Sequence, residues 1–317
     1  NARRRAENIP PERLVEFVEY IHSKNVKAYL ALNTDISQRE LAEAARYYKF
    51  AKSAGVYALI VRDLSFFVFR KFLGDIPLHM STQAGISSSA GVKTARSLGI
   101  ARVILAREMS SDEIKASADV EGIDIEIFVQ GAMCFSVSGR CLLSSWMGGR
   151  SGNRGLCASP CRMEWKTQDS AFSRFMSMKD LSLLKHAKEI AGHGALSLKI
   201  EGRLKNPEWV AEAVRQVKIA LSENPEEVVN DARLGLYAGR AMTNSFYLGS
   251  RKGLTASSGR DKNEDSPRSD FLPEEESSLS NVLISISEDA GGKLLCSIRM
   301  LNLESKIFIK DRGDSER

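Results

Sequence analysis

Four of the five cysteines in this 317-residue chain fall within twenty-eight positions, as Cys134, Cys141, Cys157 and Cys161 with the spacing C-x6-C-x15-C-x3-C. Thiolates grouped in this way are metal ligands before they are anything else, and three readings stay open. An iron–sulfur cluster takes four thiolates and tolerates varied spacing, because its ligands come from separate turns of a loop. A structural zinc site favours two C-x2-4-C knuckles; Cys157-x3-Cys161 approximates one, whereas Cys134-x6-Cys141 is too wide. The third reading is unligated thiols. Arg140, Arg150, Arg154 and Arg162 lie in the same stretch and would offset the negative charge of a thiolate cluster. Cys296, on the alternating run KLLCSIRML, reads as a small core hydrophobe.

A second set of reactive side chains follows short apolar runs: Asn33, Asp63, Gln83, Arg107, Glu108, Gln130, Lys199, Glu201 and Arg203. Arg107, Lys199 and Arg203 can bind the carboxylates of a small molecule as charge-assisted pairs. Glu108 and Glu201 can act as acid or base, or simply pair with those cations. Each of these residues taken singly could also begin a solvated loop. A peptidase needs a nucleophile with its base, or an H-E-x-x-H metal site. The chain has four histidines, His22, His79, His186 and His193, and no such motif. His79 sits inside an apolar run and reads as a packed core residue.

The elements that must carry these residues alternate. Helical periodicity over Glu12–Ser23 precedes an apolar run at Val26–Leu32, and the capping-box pattern Ser37-x-x-Glu40 opens a long helix to Ala54. Further strands are expected at Tyr57–Val61, Pro77–Met80, Arg102–Leu105, Ile123–Val129 and Ala195–Ile200. The helices between them end near Leu73, Leu98, Ala118 and Ala191. Ser111 is expected to cap the Ala118 helix, Lys179–Ala191 is expected to be helical, and a last helix runs from Pro207 to Ser222. Six short apolar strands alternating with helices imply a parallel α/β sheet. Such sheets place chemistry at the carboxyl ends of their strands, where the polar set stands. The cysteine-rich loop, 131–178, leaves one of those ends.

Residues 254–278, rich in Ser, Asp, Glu, Arg and Pro, read as a linker after a domain spanning 1–253. Residues 279–317 read as a partial β domain with strands at Val282–Ile286, Lys293–Met300 and Lys306–Ile309. There is no G-x-G-x-x-G after the first strand and no Walker lysine loop, so nucleotide binding of those kinds has no support. The net charge of +5 permits a polyanionic partner without requiring one. Arg3-Arg4-Arg5 reads as a solvated terminus. No apolar run is long enough to span a bilayer and no signal-peptide core is present, so a cytoplasmic location with no membrane partner is expected.

The segments EIFVQGAMCFSVSGRCLLS, GGRSGNRGLCASPCR, MSMKDL, SLKIEGRLKNPEWV, STQAGISS, VILAREMS and ARRRAENI together resemble the collagenase-like peptidase family numbered U-thirty-two, over roughly residues 2 to 250. The resemblance implies a TIM-type (β/α)8 barrel followed by a small β domain. The six strands would then be strands three to eight, with the first two preceding Asn1. It also implies an oxygen-independent RNA base hydroxylase of ribosomal RNA or tRNA, acting at pyrimidine C5. The implied cofactor is a 4Fe-4S cluster on Cys134, Cys141, Cys157 and Cys161, delivered by iron–sulfur assembly machinery, with zinc as the alternative. Prephenate is the implied hydroxyl donor, and Gln83, Arg107, Glu108, Lys199, Glu201 and Arg203 are the implied catalytic set. Peptidase activity and non-catalytic RNA binding are the competing readings. The family often carries His where this chain has Gln130, and a neutral amide cannot transfer protons.

Overall fold

The computed structural model describes residues 9–166, 173–195, 197–202, 205–222 and 241–255, and the backbone of 282–288 and 294–300. The chain forms two compact units, Asn1–Pro160 with Met178–Leu254, and Cys161–Ser177 with Thr255–Arg317. Arg3 to Arg5, Arg203, most of the expected linker, the Lys306–Ile309 strand and the side chain of Cys296 lie outside the described residues.

The first unit is an α/β layer. Its strands are β1 (Tyr29–Leu32), β2 (Ala58–Val61), β3 (Leu78–Met80), β4 (Arg102–Ile104), β5 (Asp124–Gly131), β6 (Asp180–Ser182), β7 (Ser197–Ile200) and β8 (Met242–Thr243). β1 through β5 pair in chain order, all parallel, and β7 continues the series parallel to β5. These are the six strands expected from the sequence. The helices are α1 (Leu14–Ser23), α2 (Leu41–Ser53), α3 (Ser65–Leu73), α4 (Ser89–Ser97), α5 (Ser111–Ala118), α6 (Leu143–Gly148), α7 (Ala187–Gly192) and α8 (Pro207–Leu221).

Local chemistry explains the helix starts. The Ser37 hydroxyl and amide both donate to the Glu40 carboxylate, closing the expected capping box ahead of α2. Asn206 accepts the Trp209 amide and Pro207 occupies the first turn of α8. The cap of α5 is Ser110 rather than Ser111, because Glu113 stands three residues after Ser110 and completes a second capping box.

Three elements depart from expectation. The span from Lys179 to Ala191 is not one helix: Asp180–Ser182 forms β6, and helix proper begins at Ala187. β6 pairs antiparallel with the end of β5, Gln130 to Ser182 and Gly131 to Leu181, so long-range backbone pairing overrides the local helical pattern. β8 pairs parallel with β6 and is only two residues long, too short to show a period. Within the Gly- and Ser-rich loop the chain also forms α6.

The sheet is held by one large apolar cluster. Leu59, Val61, Leu78, Val103, Ile125, Ile127 and Val129 are buried between strands and helices with Tyr48, Phe66 and Val92; each is worth about 1.5–3 kcal/mol on full burial. Among the described residues β1 pairs only with β2, so the sheet remains open at that edge. A cavity of about 640 Å³ lies beside it, lined by Leu30, Leu32, Ile36, Tyr47, Phe66 and Arg154 among others. Among the described residues, no helix is long and apolar enough to cross a membrane. In the second unit, β9 (Val282–Glu288) and β10 (Leu294–Met300) form an antiparallel pair.

Candidate functional site

Parallel pairing in chain order brings the carboxyl ends of β1 to β5 and β7 to one end of the sheet, and hydrogen bonds stitch those ends together. Asn33, after β1, donates to Ser81 after β3 at 3.1 Å. Asp63, after β2, accepts the amides of Ile36 and Ser65 at 2.9 Å each, so its carboxylate organises two loops. Glu201, after β7, donates its amide to the Gln130 carbonyl at 2.9 Å.

Arg107 and Glu201 meet at this end. The guanidinium bonds the carboxylate at 2.6 Å and lies over the Phe128 ring at 3.8 Å, with both charged side chains mostly buried. Period-2 alternation puts Glu126 and Phe128 on one face of β5, and the register shifts between Phe128 and Gln130. Phe128 joins the site although only polar residues were expected there. Among the described residues the buried Arg107 Nε and Gln130 Oε1 have no hydrogen-bond partner, and Gln130 is fully buried with its amide nitrogen 3.5 Å from the Met242 sulfur.

Two residues of the expected set have structural tasks. Glu108 grips the cysteine loop: its carboxylate accepts the Ser138 amide at 2.7 Å and the Ser138 hydroxyl at 2.8 Å. Lys199 reaches toward the amino ends of the strands and pairs with Glu126, which also receives Arg102 at 3.2 Å and Ser197 at 3.1 Å. Burial pushes the Glu126 carboxyl up, but Lys199 and its other donors outweigh that and hold it below the ordinary carboxylate value. Beside this ion cluster His79 is buried against the Tyr29 ring, and burial together with Arg102 pushes its pKa down to about 4. His79 is thus the packed, neutral histidine expected.

The loop between Cys134 and Cys141 is docked onto the turn after β3. Gly139 has φ +71°, and a Cβ there would lie 1.9 Å from the Gln83 carbonyl oxygen; reciprocally, a Cβ on Gly85 would lie 2.8 Å from the Ser138 oxygen. Only two glycines allow this approach. Gln83 therefore serves the loop through its backbone. Arg140 donates to the Ala84 carbonyl across the same contact. Further along, Arg154 donates to the Asp35 carbonyl at 2.8 Å and pairs with Glu40, so this arginine is committed to the start of α2. Arg154 first, then Ser37, pulls the Glu40 pKa down to about 2.

None of Cys134, Cys141, Cys157 and Cys161 forms a disulfide. The Cys157 sulfur accepts the Ser159 amide at 3.3 Å and the Ser144 hydroxyl at 3.7 Å, while the Ser144 oxygen accepts the Ala158 amide at 3.0 Å. Donors aimed at sulfur stabilise a thiolate and suit a metal ligand. Cys134, Cys141 and Cys157 belong to the first unit and Cys161 to the second. Among the described residues no three His, Cys, Asp or Glu side chains converge on one metal-sized point.

A hydroxyl, two imidazoles and a carboxylate also gather outside this mouth. Ser111 Oγ lies 3.4 Å from His193 Nε2, and Glu189 lies 3.5 Å from that same nitrogen and 3.4 Å from His186 Nδ1. In a catalytic triad the acid holds Nδ1 while the nucleophile meets Nε2. Here both compete for one nitrogen, and the Ser111 hydroxyl is also bonded to Tyr247.

The model of peptidase family U32 matches residues 1–256. This chain belongs to that family. Its relatives include a protein named uncharacterized protease from Methanocaldococcus jannaschii, 35% identical over 236 residues, covering 70% of this chain and 57% of the relative. The tRNA hydroxylation protein P1 of Bacillus subtilis is 34% identical over 245 residues, covering 72% and 58%. A 23S rRNA 5-hydroxycytidine synthase of Escherichia coli is 32% identical over 241 residues, covering 74% and 36%. The chain thus spans between about a third and three fifths of the length of these relatives. The U32 match contains every residue of the mouth and all four loop cysteines.

Proposed function

We propose that this protein is an iron–sulfur-dependent, oxygen-independent RNA base hydroxylase acting at C5 of a pyrimidine in ribosomal RNA or tRNA. The observation that carries the reading is the docking of the cysteine loop onto the strand ends through Glu108, Ser138, Gly139 and Gln83. It ties the thiol-bearing segment to the end of the sheet that presents Arg107, Phe128 and Glu201. Relatives named for hydroxylation of tRNA and synthesis of 5-hydroxycytidine in 23S rRNA support the reaction class. Cys134, Cys141, Cys157 and Cys161 would hold a 4Fe-4S cluster, which when bound supplies electron-transfer chemistry and an iron able to activate a hydroxyl.

The chain's own residues have separable tasks in this reading. Arg107, fixed by Glu201 and flattened on Phe128, supplies the cation for a carboxylate of a small hydroxyl donor such as prephenate. Gln130 is fully buried at the end of β5 and, as a neutral amide, transfers no proton. Replacing C5–H by C5–OH oxidises the base by two electrons, so the hydroxyl donor is reduced by the same two. A stacked base exposes too little of its ring, so the target is extruded or taken from a single-stranded segment. The finer fold reading is a (β/α)8 barrel. Iron–sulfur assembly machinery is the implied partner for maturation.

The second reading is the peptidase of the family's name. The Ser111, His193 and Glu189 group is its best structural support, and the shared Nε2 argues against it. Mass spectrometry of nucleosides from a deletion strain tests the choice. Loss of one hydroxylated pyrimidine, restored by the native gene, is expected; an unchanged nucleoside profile would sink the RNA reading.

A further inference from the structure

From the outer face of α6 we infer that Leu142, Trp146 and Arg150 form a docking ridge for single-stranded RNA, on which Trp146 stacks an unpaired base. The inference rests on the RNA reading above and says where the polymer touches the protein.

α6 has two faces. Ser144 is buried at 3% exposure and turns inward to Cys157, while Leu142 is 52% and Trp146 77% exposed. Leu142 and Trp146 are one helical turn apart, joined by the Trp146 amide to Leu142 carbonyl bond at 3.1 Å. Past the helix end the chain folds back, with the Arg150 amide on the Ser144 carbonyl and the Ser145 hydroxyl on the Arg150 carbonyl. Arg150 therefore stands on the same short element as the exposed indole. Phe135 and Val137 of the docked loop are likewise half exposed.

Charge selects the partner. Residues 131 to 160 hold three arginines and no Asp, Glu or Lys. Arg154 is taken by Glu40, which leaves Arg140 and Arg150 exposed on this segment. An exposed indole on a segment that carries exposed arginines, with no acid in thirty residues, fits a chain of bases and phosphates. An acidic or apolar protein partner would satisfy one half of the ridge and leave the other unmatched. The opposite face of α6 reaches the sulfur of Cys157, so the ridge would carry RNA past the thiol-bearing loop.

The test is binding of a fluorescein-labelled single-stranded RNA, and of the same sequence as a duplex, to the full-length protein. Trp165 and Trp209 are buried at 7% and 1%, so quenching of intrinsic fluorescence by RNA would report on Trp146. Trp146→Ala should weaken single-strand binding by about 5- to 100-fold and Trp146→Phe should restore most of it. Arg150→Gln should reduce the dependence of log affinity on log salt by about 0.7. Unchanged affinity in Trp146→Ala with native circular dichroism would overturn the inference. So would a loss of self-association in that variant with RNA binding intact, because a second copy would then be the occupant. Trp146-dependent RNA binding with an unchanged nucleoside profile would sink the hydroxylase reading alone, whereas hydroxylation by Trp146→Ala at native KM would sink the ridge alone.

Discussion

Gly139→Ala and Gly149→Ala make a matched pair that weighs the docking of the cysteine loop. Both glycines are left-handed, at φ +71° and +66°, so each substitution carries the same backbone penalty, about 1 kcal/mol. A Cβ on Gly149 meets nothing within 4 Å, whereas one on Gly139 falls 1.9 Å from the Gln83 carbonyl oxygen. That oxygen is main chain and cannot rotate away; relief requires a shift of more than an ångström, and the loop would undock instead. The cost is then capped by what docking is worth, chiefly the two bonds from Ser138 to the Glu108 carboxylate, each about 1.5–3 kcal/mol. Hydrogen exchange of peptides covering residues 133–142 reads this directly. Protection should fall by about 100-fold or more in Gly139→Ala, while the same peptides in Gly149→Ala should stay near native, since one decade corresponds to about 1.4 kcal/mol. Equal exchange in the two variants would refute the reasoning.

Arg107→Lys keeps a positive charge opposite Glu201 but loses the planar stack on Phe128; RNA hydroxylation should fall at least about tenfold with iron content unchanged, and native activity would remove Arg107 from the donor site. His79 has a folded pKa near 4, below the ordinary 6.5, so the unfolded chain takes up a proton that the folded one refuses. Its contribution is present above about pH 6.5 and is lost as pH falls toward 4; the denaturation midpoint of His79→Phe should drop less than that of the native protein across this window. Glu40, near 2 through Arg154 and Ser37, contributes stability that is present above the ordinary carboxylate range and lost as pH falls through about 2. Arg154→Gln should move the Glu40 carboxyl titration, followed by carbon-13 NMR, back toward that range.

The alternation of strand and helix was legible because six apolar runs of four to eight residues leave little freedom of interpretation, and because Ser37 and Glu40 announce their helix. β6 was not legible. Asp180-Leu181-Ser182 has no strand period, and it becomes a strand through distant partners, Gln130 and Gly131 on one side and Met242 and Thr243 on the other. Within the site, the location of Arg107, Glu108, Gln130 and Glu201 followed from their positions after strands. Their tasks did not, since a carboxylate thirty residues from the loop amide it holds leaves no local trace. Lys199 shows the same limit: it was expected to bind a carboxylate of a small molecule, yet its ammonium pairs with the buried Glu126 while lying 5.6 Å from the Phe128 ring. Ser144 and Trp146, on opposite faces of a helix inside a Gly- and Ser-rich loop, carried no periodic signal long enough to read.

The central claim is that the loop from Cys134 to Cys161 exists to hold an iron–sulfur cluster at the reactive end of the sheet. Anaerobic purification of the full-length protein, with iron and acid-labile sulfide measured per chain, tests it most directly. The account predicts about four of each, with brown visible absorption that Cys157→Ala diminishes. A colourless, iron-free protein carrying stoichiometric zinc would contradict it.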